Sequence, residues 1–184
     1  MTEAIYSSLE DKLRRVSAFN RKALPNNPIQ KGIGIIKGLS AQSHMASSEH
    51  LISPEEIDPL LLRIGNIRNY VLENGVPSTD YLTDPEICEE SDVILKVDEY
   101  EIIASSNLQN PNSILLSIGG IVRQGLNVFA SFGTNSNFEL HVQYSSRNGV
   151  ELQYRVQRDL SKMTDEEGEI IRDFLGKTEA ELGI

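Results

Sequence analysis

Between Leu126 and Gln157 apolar and polar residues alternate in three consecutive runs. Leu126, Val128, Ala130 and Phe132, then Phe138, Leu140, Val142 and Tyr144, then Val150, Leu152, Tyr154 and Val156 fall at every second position. Asn127, Ser131, Glu139, His141, Gln143, Glu151, Gln153, Arg155 and Gln157 fill the gaps. A strand sends successive side chains to opposite faces, so the pattern predicts a three-strand antiparallel meander with one buried and one wet face.

The turns fix its register. A two-residue turn at Asn148-Gly149 would set the apolar face of one strand against the polar face of the next, because a slip of one residue exchanges the faces. A three-residue loop, Arg147-Asn148-Gly149 with Gly149 left-handed in a bulge, pairs Tyr144 with Leu152 and Val142 with Tyr154. The same argument sets Phe132 opposite Phe138, Ala130 opposite Leu140 and Val128 opposite Val142. Each large side chain so buried contributes roughly 1.5–3 kcal/mol, provided helices cover that face.

Upstream, Ile5, Leu9, Leu13 and Val16, with Tyr6 and Phe19 nearby, recur at helical spacing from about Thr2 to Leu24. Pro25-Asn26-Asn27-Pro28 ends that helix. Residues 29–50, with Gly32, Gly34 and Gly38, read as a glycine-rich linker. Ser43-His44-Met45-Ala46-Ser47 resembles an expression-vector scar, which raises a fused arm as an alternative. Ser53-Pro54-Glu55-Glu56 starts a helix carrying Ile57, Leu60, Leu61, Ile64, Ile67 and Val71, with Gly75 as the expected left-handed stop. Residues 76–90 read as loop and short turn, and strands are expected near 92–97 and 99–105. Ser113–Gln124 fits a short helix or a buried strand, and the helix is preferred. A last helix starts at Thr164-Asp165-Glu166-Glu167, turns Ile170, Ile171, Phe174 and Leu175 inward, and stops at Gly176.

The expected fold class is therefore α+β: the three-strand C-terminal meander plus one or two preceding strands, packed on one face by helices, with an N-terminal amphipathic helical arm. The expected division is an arm and linker over 1–50 and an α+β domain over 51–184, which suits a chain of 184 residues.

Charge adds an asymmetry to this picture. Of the net −10, residues 1–40 hold seven Lys/Arg against three acids, a balance of +4, which leaves −14 on the remainder. A basic arm preceding an acidic body suggests that Arg14, Arg15, Arg21 and Lys22 meet an acidic surface on the body itself, a partner or a nucleic acid. Asp84, Glu86, Glu89 and Glu90 form the core of an acidic edge over residues 80–101. No apolar run reaches the roughly 18 residues a membrane span needs, and the start lacks a signal-peptide core. With the single Cys88, that favours the cytoplasm and no membrane partner.

Motifs for familiar chemistries are missing. Gly32-x-Gly34 lacks the third glycine of a dinucleotide fingerprint, and Lys37 is followed by Gly38 rather than the Ser/Thr of a P-loop. His44, His50 and Glu49 sit on the expected linker, and Asp80–Asp92 holds none of the glycine an EF-hand loop requires, so no metal or other cofactor is expected. Cys88 among Glu86, Glu89 and Glu90 is disfavoured as a thiolate, and no catalytic residue is assigned. The register does assemble one constellation on the wet face: His141 between Arg155 and Phe129, with Glu139, Gln143 and Gln153 adjacent. It could bind a carboxylate or phosphate through Arg155 and His141. A mixture like this is also what the outer face of any half-buried sheet presents.

Three functions follow in order. The first is a non-catalytic protein-binding module, an adaptor, escort chaperone or neutralising partner, with the arm helix a candidate homo-oligomer contact. The second is a small-ligand or enzymatic site around His141 and Arg155. Nucleic-acid contact through the arm ranks last, since a sheet that reads RNA needs several exposed aromatics and a basic field.

Overall fold

The computed structural model describes residues 28–44, 50–78, 92–106, 108, 113–123, 125–145 and 151–184. In chain order its elements are helix α1 (Pro28–His44), helix α2 (Pro54–Asn74), strands β1 (Val76–Pro77), β2 (Asp92–Val97), β3 (Tyr100–Ser105), β4 (Ile114–Arg123), β5 (Leu126–Gly133), β6 (Asn137–Ser145) and β7 (Glu151–Asp159), a 3₁₀ turn (Leu160–Lys162) and helix α3 (Asp165–Leu182). All seven strands form one antiparallel sheet in sequence order. The α+β class expected from the pattern is the class observed. The predicted helix at 2–24 and the Arg147-Asn148-Gly149 loop lie outside the described residues.

The meander has the expected register. Phe132 pairs with Phe138, Ala130 with Leu140 and Val128 with Val142, and beyond β6 Val142 pairs with Tyr154 and Tyr144 with Leu152. The two strands expected at 92–97 and 99–105 are β2 and β3, joined at Asp98, whose φ is 49°.

Four expectations need correction. The sheet has four strands ahead of the meander rather than one or two, because β1 adds an edge and residues 114–123 are strand β4 rather than helix. Leu116 and Ile118 face the helices while Ile114 and Ile121 face away, so apolar residues on both sides of a strand mimic helical spacing. The pairing of β4 with β5 also shifts between Ile114 and Leu116, which breaks strict alternation.

Second, the expected linker is largely helix α1, which packs Ile36 and Leu39 into the same core as the meander. Two of its three glycines, Gly32 and Gly38, serve close approach, while Gly34 faces open space. A β-carbon on Gly32 would lie 3.0 Å from the Tyr144 ring, and one on Gly38 would lie 2.8 Å from Glu166 Oε1. The remaining two corrections concern helix ends. Gly75 is extended rather than left-handed, and α3 runs past Gly176 to Leu182, with Gly183 (φ 73°) as its left-handed cap.

Among the described residues, helices cover one face only. Leu60, Ile64, Ile67 and Val71 of α2, Ile171, Phe174 and Leu175 of α3, and Ile36 and Leu39 of α1 bury that face of the sheet, with Tyr100 stacked on Phe174 at 5.9 Å. Arg63 clamps α2 to α3 through both oxygens of Glu179, at 2.9 and 2.6 Å.

Where α1, β7 and α3 meet, a polar cluster replaces apolar packing. The Glu167 carboxylate is fully buried. It accepts from Tyr154 Oη (2.5 Å), from Arg158 Nη2 (2.5 Å) and from the Thr164 amide (2.8 Å). The last of these is one half of a capping box at the start of α3. Arg158 Nη2 also reaches Ser43 Oγ of α1 at 3.3 Å. Burial first, and then the contact with Glu167, push the Tyr154 phenol up to about 12.

A phenol whose folded value is raised stays neutral in the native state after it has ionised in the unfolded one. Its contribution is therefore complete below the ordinary value near 10 and is lost as the pH rises from 10 to 12. Urea midpoints measured across that interval are expected to fall more steeply for the wild type than for Tyr154→Phe. Parallel profiles would remove the linkage.

Candidate binding surface

Strand alternation that turns Val128, Ala130, Leu140 and Val142 toward the helices turns their neighbours outward. The cross-strand pairs then align Lys96, Glu101, Gly119, Phe129, His141 and Arg155 in one row across β2 to β7 on the bare face. A parallel row runs from Ile103 through Ser117 and Ser131 to Glu139 and Gln157, with a 3.0 Å hydrogen bond between the Ser117 and Ser131 hydroxyls.

The constellation expected on this face is present, but it divides into two. Arg155 sits opposite His141, yet its Nε and Nη2 both reach Glu139 Oε1 at 2.7 Å. With its side chain 70% exposed, Arg155 forms a surface pair of little stabilising value, and its donors are directed at Glu139 rather than toward a ligand shared with His141. His141 Nε2 contacts Gln153 Oε1 at 3.3 Å. In the tautomer that satisfies this contact Nε2 carries the proton and Nδ1 is an acceptor.

On its other side His141 borders a hollow of about 270 Å³ with Phe129 and Gln143. Glu99 from the β2–β3 turn, Gly119 and Ile121 of β4 and Asn127 of β5 complete it. These four were not singled out from the sequence. Gly119 and Ile121 could not be placed while residues 113–124 were read as a helix, and the signal for Glu99 was only its membership of an acidic run.

Gly119 leaves one side of the Phe129 ring open, since a β-carbon there would be 3.8 Å from Phe129 Cδ2. Its neighbour Gly120 has the opposite task on the inner face, where the Tyr100 ring lies 2.5 Å from where a β-carbon would stand. Three large apolar side chains stay partly exposed on the bare face: Phe129 and Ile121, each 38%, and Ile114, 51%. Ile114 borders a second hollow with Ser131, Asn135 and Glu139.

The predicted partner-binding residues Arg14, Arg15, Arg21, Lys22, Asp84, Glu86, Glu89 and Glu90 lie outside the described residues. Of the acidic edge, Asp92, Asp98, Glu99 and Glu101 are described, and Glu101 pairs with Lys96 at 2.7 Å. Among the described residues no three His, Cys, Asp or Glu side chains converge as a metal site. No described helix is long and apolar enough to cross a membrane. No protein-family model matches the chain, and neither a curated protein nor a solved structure matches it.

Proposed function

We propose that the protein is a non-catalytic protein-binding module, of the adaptor or escort-chaperone kind, that engages its partner through the bare face of the sheet. One observation carries the reading. Among the described residues three helices clad one face, while the other presents Phe129, Ile121 and Ile114 on paired strands among amide and hydroxyl side chains. Aromatic anchors on a preorganised surface with a polar surround are the usual centre of a protein interface. The wet face of a sheet needs no such residues for folding.

The surface replaces the opening forty residues as the centre of the proposal, since part of that stretch is α1 and belongs to the core. A small-ligand or enzymatic site shared by His141 and Arg155 is less well supported, because Glu139 occupies the Arg155 donors.

Full-length Phe129→Ser and Ile121→Ser proteins are expected to keep the far-ultraviolet circular dichroism of the wild type. Each is expected to lose the host proteins that the wild type retains in affinity capture, with a drop of about 5–30-fold for Phe129→Ser, the loss of a central anchor worth about 1–2 kcal/mol. Retention of the same proteins by both variants would discard this face as the binding surface.

A further inference from the structure

The hollow beside Phe129 has a definite chemical bias. An exposed carboxylate, Glu99, stands at one side. The amides of Asn127 and Gln143 and the ring of His141 stand at the other, and among the described residues no Lys or Arg lines it. Among the described residues, neither Glu99 nor Asn127 has a side-chain hydrogen bond or ion pair. Gln143 Nε2 is directed to Ser145 Oγ at 3.4 Å, which leaves its carbonyl oxygen as the free end. The free groups beside the aromatic ring are therefore the Glu99 carboxylate, the Gln143 oxygen and both ends of the Asn127 amide, which give the hollow a negative bias on a chain of net charge −10. The Arg155 guanidinium, across the strand from His141, is held by Glu139 and is not turned to an anionic ligand in the hollow.

A planar cation with several N–H groups fits each of these features. It stacks on the ring, donates to a carboxylate and to amide oxygens, and is weakly enough hydrated to leave water. We infer that the hollow is a guanidinium notch that takes an arginine side chain of the partner protein. The inference rests on the reading of the bare face as the partner surface and adds the chemistry of the residue that enters it. Charge complementarity selects this occupant, since a chain of net charge −10 attracts a basic segment and the Glu99 carboxylate lines the hollow.

The test uses the full chain, labelled with ¹⁵N, and three probes: N-acetyl-arginine methylamide, its lysine counterpart and its citrulline counterpart, which keeps the shape of arginine without the charge. The arginine probe is expected to shift the amide signals of Gly119, Phe129 and Gln143 and to saturate in the millimolar range. The citrulline and lysine probes are expected to bind at least about fivefold more weakly. Glu99→Gln and Phe129→Leu should each weaken arginine binding about 2–5-fold, the range of an exposed ion pair or an exposed cation–π contact.

No shift, shifts scattered away from these residues, or equal binding of citrulline or lysine would overturn the notch. The chain's own Arg14, Arg15 and Arg21 are the competing occupants. If replacing all three with glutamine makes the arginine probe bind several-fold more tightly, the chain fills its own notch and the partner assignment falls. Failure of the probe while Phe129→Ser still loses captured proteins would remove the notch alone. Failure of both would remove the surface.

Discussion

Arg158→Ala is expected to destabilise the protein by about 3–5 kcal/mol, because it strips a buried carboxylate of its counter-charge. Glu167 is fully buried beneath α1, and Tyr154 and the Thr164 amide are its other hydrogen-bond donors. Those donors are neutral. Without the guanidinium, the carboxylate must either hold an uncompensated charge or take up a proton, and both outcomes cost stability.

The reverse experiment separates the two contributions. Replacing Arg158 with methionine and Glu167 with leucine together removes the charges and fills the space. It is expected to recover only part of the loss, since well-packed apolar side chains commonly match a buried ion pair but the Tyr154 hydroxyl and the Thr164 amide lose their acceptor. Urea denaturation of the three proteins at neutral pH measures both effects. A single mutant within 1 kcal/mol of the wild type would show that the pair carries no such load.

The same cluster marks where the sequence stops being readable. The alternation in β5, β6 and β7 gives both the strands and their register, since one face of each is apolar, the other polar, and a slip exposes the mismatch at once. It does not reveal that Arg158, one position beyond that pattern, faces inward to a carboxylate on a later helix. Strand β4 was obscured for a related reason. Its two faces both carry isoleucine, and its period is masked by the paired glycines, Gly120 packed against the Tyr100 ring and Gly119 beside Phe129. The hollow inherits that difficulty. His141, Phe129 and Gln143 could be grouped from the register of three strands, whereas Gly119 and Ile121 enter only once a fourth strand is placed beside them.

Helix α1 forms against its local propensity. Glycine costs about 1 kcal/mol relative to alanine inside a helix, so three of them within seven residues argue for a linker. The tertiary contacts outweigh that cost. Gly32 lets the helix approach the Tyr144 ring, Ile36 and Leu39 fill the space above β6 and β7, and Gln42 and Ser43 bond to α3 and β7 at the far end.

Leu39 is wholly buried, so Leu39→Ala is expected to cost about 2–5 kcal/mol through lost transfer energy and the cavity left behind. For a chain of this size that corresponds to a fall of roughly 2–4 °C in melting temperature per kcal/mol. Lys37, exposed on the same helix, supplies the control, and Lys37→Ala should stay within about 0.5 kcal/mol. If Leu39→Ala melts with the wild type, α1 is dispensable to the core, and a truncation starting at residue 51 should fold. If it melts as expected, that truncation uncovers Tyr144 and Leu152 and gives an aggregation-prone chain, so partner capture must be measured on the full-length protein.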